Sequence, residues 1–595
     1  MHFKITDEEE CPNGYQYKNG LNVLGKPFQR KGNCVDGDGG LYFTDLTNLS
    51  KFYKCGSWLR IVTVPDDAEV VKNSSGDMWR ANKIILGDKY PLFDVKTIEK
   101  CNLKMNDYYI NKISADGDVS ALNWLKAHMT ELFKCNCDGI QYASHNGHLK
   151  VLSFWKSYGF KPSYASGCMD YASGHGHLDV LEWWKNSGLK LEYTYRAIDN
   201  AAKNGHLNVL EWWKNSKLEL EYSAATMDNA SANGNITILK WCQDAGLELK
   251  YTSDALDLAS KNGHVLVLTW WKNSGLELKY TSAAVDDASA NGHVGVLQRW
   301  KTLWVEMKYT DEAMGEASKN AHLDVLEWWK NSELDLAYDD EAIDFAFENG
   351  HISVLEWWRT SGLDVEYGDE AIDNASKNGH VSVLEWWKES GLELEYSSNA
   401  MNWASRNGHV NVLEWWLKAH HESGLELKYT FNAMNWASFN GHIDVLEWWK
   451  NSGLELKQID DESSNPYANR SGMDLASSNN QVDVLKWWLK AHHESGLELK
   501  YSFNAIDDAS SGGHVDVLEW WLKAHTDSGL KLKYTDDAMD DASSSGHANV
   551  LEWWKNSGLE LKYSSEAMFL AKDWGRHDVL SWWRSSGLKL KIRDE

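Results

Sequence analysis

Proline is nearly absent: six residues in 595, about 1% where globular chains average about 5%. A chain so poor in proline can hold many uninterrupted helices, because proline removes a backbone donor and clashes inside each one. Cysteine is sparse as well. The eight cysteines (Cys11, Cys34, Cys55, Cys101, Cys135, Cys137, Cys168, Cys242) include no Cys-x-x-Cys pair, and reduced thiols in an intracellular setting are expected. No apolar run approaches the ~20 residues that span a bilayer. The acidic start, Met1 to Glu10, has no apolar signal core, so neither membrane insertion nor export by the usual route is expected. Positive charge is short too: 60 basic against 87 acidic residues give a net charge of −27. A surface that acidic repels a phosphate backbone, so nucleic acid is not an expected partner.

Motifs of catalysis are also missing. There is no Gly-rich phosphate loop, no His-Glu-x-x-His and no Gly-x-Ser-x-Gly, and the abundant carboxylates recur as scaffold rather than as a unique pair. No catalytic residue, cofactor or metal is assigned, and a non-enzyme is expected. A single-copy active site has room only in residues 1–100, where Arg60, Trp79, Arg80 and Asn82 are the polar and aromatic candidates.

What the chain has in excess is tryptophan, 34 residues, and period. Residues 1–100 hold 14 basic and 14 acidic residues and four of the six prolines, so residues 101–595 carry all of the net charge. We expect an α+β module over 1–100 and a repeat array over 101–595. The array is anchored by Asn-Gly-His or a close relative, at His148, His177, His206, Asn235, His264, His293, His322, His351, His380 and His409, each step being 29 residues. The series continues at His442, Gln481, His514, His547 and His577, and a degenerate copy with Asp118 precedes it. That makes sixteen copies.

The copy after His264 shows the frame. Val267, Leu268 and Trp271 form a buried helical stripe. Gly275 is suited to the left-handed helix end. Leu276, Leu278 and Tyr280 alternate as a short extended connector. Ala284, Val285 and Ala288 then give a second helix a narrow apolar face that permits close packing. A Thr or Ser such as Thr252 or Ser564 precedes that helix as a cap. Such a helix–turn–helix cannot bury its faces alone, so stacking is required. Three 33-residue copies add four residues after their tryptophans, as at Leu417 to His420, which is about one helical turn. The 39-residue copy carries a polar surface insert, Gln458 to Arg470.

Gly-His, a β-branched or Leu pair, a large apolar residue at +7, Gly at +11 and an Ala-Ser pair before the next anchor resemble the ankyrin repeat. His264, Val267, Leu268, Trp271, Gly275, Ala288 and Ser289 match that motif. The Thr-Pro-Leu-His opening is replaced by Ala-Met-Asp or Ala-Ile-Asp, and the copies are four residues short, which implies a shortened β-hairpin finger. The Trp-Trp variant is similar to that of the mimivirus-type ankyrin repeat proteins of giant amoeba viruses. Asn13 to Tyr17, Gly40 to Thr44, Lys51 to Tyr53, Leu59 to Val62 and Trp79 to Leu86 resemble the N-terminal module of that family.

The resemblance implies an ankyrin-like α-solenoid behind a small α+β domain. It further implies a protein–protein interaction scaffold for host or viral proteins, located in the host cytoplasm or the virion. A virion structural component, and an N-terminal enzyme targeted by its repeats, are the alternatives. Protein partners, no membrane and a monomer are expected.

The anchor histidines are read as satisfying backbone groups, because stacked copies lie about 8–10 Å apart, too far to share a metal ligated at about 2.0–2.1 Å. The first Trp of each pair packs against a neighbouring copy and the second is buried. Asp after the Met or Ile of the second helix (Asp228, Asp257, Asp344) is read as an acceptor for a neighbouring helix start. The next position varies where the frame does not. Its aromatic residues, Phe345, Trp403 and Trp436, with Phe439, form the expected partner-binding cluster.

Overall fold

A computed structural model describes the chain except residues 12–14, 27, 29–38, 74–75, 129–137, 160–166, 304, 365–366, 369, 394, 458–469 and 590–595. Asn13, Gly14, Cys34, Cys135, Cys137 and nearly all of the expected polar insert at 458–470 lie outside the described residues. The chain divides into two compact units, Met1–Ala284 and Val285–Glu595.

The first unit opens with seven strands: β1 (His2–Thr6), β2 (Gly20–Val23), β3 (Leu41–Asp45), β4 (Trp58–Thr63), β5 (Val70–Lys72), β6 (Trp79–Ala81) and β7 (Lys83–Pro91). They form one sheet in the order β2-β7-β4-β1-β3-β6-β5, every pairing antiparallel. Alternation sets its buried face: Leu41, Phe43, Val62, Ala81, Ile84 and Leu86 pack together with Tyr17 and Leu24. A 3-10 helix, Leu49–Cys55, crosses between β3 and β4, and α-helices take over from Val95.

From there both units are built of helix pairs. Each copy has a short helix such as Asp254–Lys261, an Asn-Gly-His turn, a Trp-bearing helix such as Val265–Ser274, and a connector. The turn favours glycine on two counts. Gly263 has φ +76, and at Gly379 (φ +82) an added Cβ would lie 2.9 Å from the His409 ring of the next copy. Ala and Ser faces let successive short helices lie against each other along their length, whereas successive Trp-bearing helices touch at few points. The four-residue insertions lengthen the Trp-bearing helix to 14 residues at Val410–Ser423, Val482–Ser495 and Val515–Ser528. The added turn keeps its inward position filled by Ala419, Ala491 and Ala524, all buried.

One expectation needs correction. The last anchor is Arg576, not His577: Arg576 is the N-cap of the final helix, and its Nε donates to the Ser544 carbonyl at 2.8 Å. The guanidinium supplies the donor that imidazole supplies elsewhere, so this step is also 29 residues. The connectors pair into no ladder: among the described residues beyond 91 there is no β-strand.

Candidate partner-binding face

Within each unit, most of the repeated polar side chains are spent on joining one copy to the next. The second Trp of each pair is buried, and in most copies its indole donates to the short-helix Ser of the preceding copy: Trp271 to Ser231 at 2.9 Å, Trp358 to Ser318 at 3.0 Å, Trp554 to Ser510 at 3.1 Å. Where Phe347 replaces that Ser, Trp387 donates to the Leu392 carbonyl at 3.1 Å instead. The first Trp is half-buried in most copies, and in several it donates to a Glu of the preceding one, as Trp212 to Glu182 at 2.8 Å and Trp357 to Glu327 at 2.9 Å. It is thus an inter-copy residue at the surface rather than a core residue in most copies.

Anchor imidazoles reach backbone, but that of the preceding copy. His264 Nε2 lies 3.1 Å from the Ala232 carbonyl, which Asn262 Nδ2 also reaches at 2.7 Å. His380 and Asn378 share the Glu348 carbonyl in the same way, both at 2.9 Å. Burial holds the His409 and His547 imidazoles below the usual range, and so neutral at physiological pH. In the connector, Tyr251 packs on Trp271 with ring centroids 4.7 Å apart, and its hydroxyl donates to the Glu277 carbonyl at 3.0 Å. Lys279 lies 4.5 Å over the same Tyr251 ring.

Each short-helix Asp accepts from the start of the next short helix. Asp228 takes the Thr252 backbone N–H at 2.9 Å and its hydroxyl at 2.8 Å. Asp373 takes both from Ser397, and Asp540 both from Ser564. Burial pushes these carboxyls up, Asp507 to about 6. Burial also raises Asp344 to about 6, where Gly368 offers it a backbone N–H at 3.1 Å. Thr252 Oγ1 in turn accepts from the Asp254 N–H at 3.2 Å, the capping role its position suggested.

Against this frame the variable row stands out. Phe345, Trp403 and Trp436 lie half-buried on short helices of the second unit, and Phe439, one turn beyond Trp436, is 36% exposed. Each ring is roofed by a cation from the preceding short helix. Lys319 lies 5.0 Å over Phe345, Lys377 5.7 Å over Trp403 and Arg406 5.5 Å over Trp436. Sequence reasoning missed these cations. Their signal was the basic residue three places before the next anchor, as at Lys319, Lys377 and Arg406.

Residues 1–100 do not gather their polar candidates. Arg60, on β4, is buried against Glu10, with Nη2–Oε2 2.6 Å and Nε–Oε1 2.9 Å. Burial opposes the Glu10 charge, but hydrogen bonds from Arg60 and Thr6 outweigh it and hold that carboxyl below its usual value. Trp79 and Arg80 sit on β6, two strands further from β4 than β1. Asn82 binds the Glu69 N–H at 2.9 Å. No cluster of three metal-ligating side chains occurs among the described residues.

Helix pairs joined by Asn-Gly-His turns, stacked by side chains that each reach one copy back, define a tandem-repeat helical protein. The model for ankyrin repeats in many copies matches residues 169–212. An ankyrin repeat protein of Acanthamoeba polyphaga mimivirus is 36% identical over 176 residues, covering 27% of this chain and 83% of that protein. A second from the same virus is 38% identical over 113 residues, 17% of this chain and 36% of its own length. An uncharacterized mimivirus protein is 41% identical over 102 residues, 16% of this chain and 72% of its own. The chain belongs to the mimivirus-type ankyrin repeat protein family. Ankyrin repeats generally mediate protein–protein interaction. No helix among the described residues is long and apolar enough to cross a membrane.

Proposed function

We propose that the repeats are a non-enzymatic scaffold that captures host or viral proteins, and that the short-helix face of the second unit does the capturing through Phe345, Trp403, Trp436 and Phe439. The observation that carries this is the division of labour among the repeated side chains. The Trp, Ser, His, Asn, Asp and Tyr positions are occupied by inter-copy bonds, while the variable row is free to differ and places aromatic rings at the surface on consecutive copies. Surface aromatics on a rigid support lose little entropy on binding and are the usual hot spots of interfaces. The short helices stack closely on one another, so one partner laid across them can touch several copies.

The test compares Trp403→Ala with Trp436→Ala, made together in the full chain, against Trp416→Ala in the buried position. Capture of partners from amoeba lysate, read by mass spectrometry, should fall for the first pair with the melting temperature little changed, whereas Trp416→Ala should lower the melting temperature. Equal destabilisation by both would make the surface rings core residues and end the site assignment. No saturable capture by the unaltered chain would favour a structural role in the virus particle.

A further inference from the structure

Beside the aromatic row the electrostatics reverse. An open groove of about 590 Å³ runs along the turns after three successive short helices, lined by Lys377, Arg406, three asparagines and the anchors His409 and His442. No carboxylate lines it, in a chain of net charge −27. Arg406 is exposed and has no carboxylate partner among the described residues. Lys377 lies 3.8 Å from Glu348 with both side chains open to water, a contact worth little. The helix-end carbonyls that would repel an anion are already taken: Asn407 donates to the Lys377 carbonyl at 2.7 Å and Asn440 to the Arg406 carbonyl at 2.9 Å. His409 and His442 are N-caps of Val410–Ser423 and Ile443–Asn451, so the positive ends of two helix dipoles open beside the groove.

We infer that this groove receives the carboxylate side chains of an acidic, extended segment of the partner protein, whose apolar residues lie on Trp403, Trp436 and Phe439. Lys377 and Arg406 occupy the same position on successive copies, which repeat about every 10 Å. Carboxylates three residues apart on an extended segment in the polyproline II conformation, with three residues per turn and a rise of about 3.1 Å each, lie on one face about 9 Å apart, so one acidic side chain meets each cation. Arg406 can hold its carboxylate through two parallel N–H donors. The inference rests on the scaffold reading and adds the chemistry of what is bound.

The test uses the full chain and a fluorescein-labelled peptide of four Glu-Phe-Ser triplets, followed by anisotropy. Saturable binding that weakens with added salt, and at least about tenfold with Arg406→Glu, is expected. The Lys-Phe-Ser counterpart should not bind. An unchanged melting temperature for Arg406→Glu, an exposed site, excludes unfolding as the cause. Equal binding of the Lys and Glu peptides, no effect of Arg406→Glu, or tenfold tighter binding when phosphoserine replaces Glu would each overturn the carboxylate assignment. If lysate capture survives Arg406→Glu but is lost with Trp403→Ala and Trp436→Ala, the scaffold reading stands and only the acidic segment falls.

Discussion

At the scale of single residues, the repeat exposes where this chain departs from its own rule. Most Trp-bearing helices end on a glycine in the left-handed region, as Gly275 (φ 74), Gly362 (φ 78) and Gly391 (φ 73) do. Lys217 and Glu333 stand at the same place with φ 65 and 60. A side chain there costs about 1–2 kcal/mol, while glycine costs about 0.5–1 kcal/mol of unfolded-chain entropy. Lys217→Gly and Glu333→Gly are therefore each expected to stabilise by about 0.5–1 kcal/mol. Urea unfolding followed by circular dichroism checks this; a lowered midpoint would show that the two side chains make contacts that outweigh their backbone strain. Ala321, with φ 60 in place of the turn glycine, is a milder case. There His351 still reaches the Lys319 carbonyl at 2.9 Å, so the next imidazole yields to a methyl group.

At the scale of elements, the indole–hydroxyl rung decides whether two copies are joined or merely adjacent. Ser318 is fully buried and gives Trp358 its acceptor. Ser318→Ala leaves a buried indole N–H without a partner, which costs about 1–3 kcal/mol. Adding Trp358→Phe removes the orphaned donor, so the double variant should be destabilised less than the sum of the singles. A double-mutant cycle from urea midpoints measures that difference, and simple additivity would deny the rung any coupling. The rungs also show what could be read beforehand. Helix type, the extra turn in the long copies and the buried second Trp followed from spacing, because period 3.6 and apolar content act locally. The Asp acceptor was legible because a Thr or Ser stood at most helix starts to meet it. The Ser–Trp bond was not, since its partners are 40 residues apart and only the stacking register joins them. Arg576 was passed over for His577 because residue type was matched before spacing. The strand order of residues 2–91 was illegible for a related reason: without a repeat, nothing in the sequence sets which strands are neighbours.

At the scale of the whole molecule, the Asp ladders couple stability to pH. Asp170, Asp228, Asp344, Asp373, Asp474, Asp507 and Asp540 all have carboxyls raised by burial. An acid whose folded pKa exceeds its unfolded value holds more protons folded than unfolded. Its contribution therefore falls as pH rises, being fully present below the unfolded value of ~3.9 and lost above the folded one, which is about 6 for Asp344 and Asp507. His175, His409 and His547, kept neutral by burial, act oppositely, since their contribution is lost as pH falls below the unfolded imidazole value of ~6.5. Self-repulsion at net charge −27 adds to the acid side, because protonation relieves it. Stability is therefore expected to peak on the acid side of neutrality, as the Asp344 and Asp507 carboxyls, pushed up to about 6, take up protons. Salt separates the causes: it screens surface repulsion within a Debye length of about 8–10 Å but leaves the buried ladder, so the acid optimum should persist at high salt. Asp344→Asn isolates one rung, keeping the acceptor for the Gly368 N–H while removing the charge. It should raise the melting temperature at pH 7.5 and leave it nearly unchanged at pH 4.5. An equal shift at both values would mean that the carboxylate's ionisation is not what that rung costs, and the ladder's part in the pH optimum would fail with it.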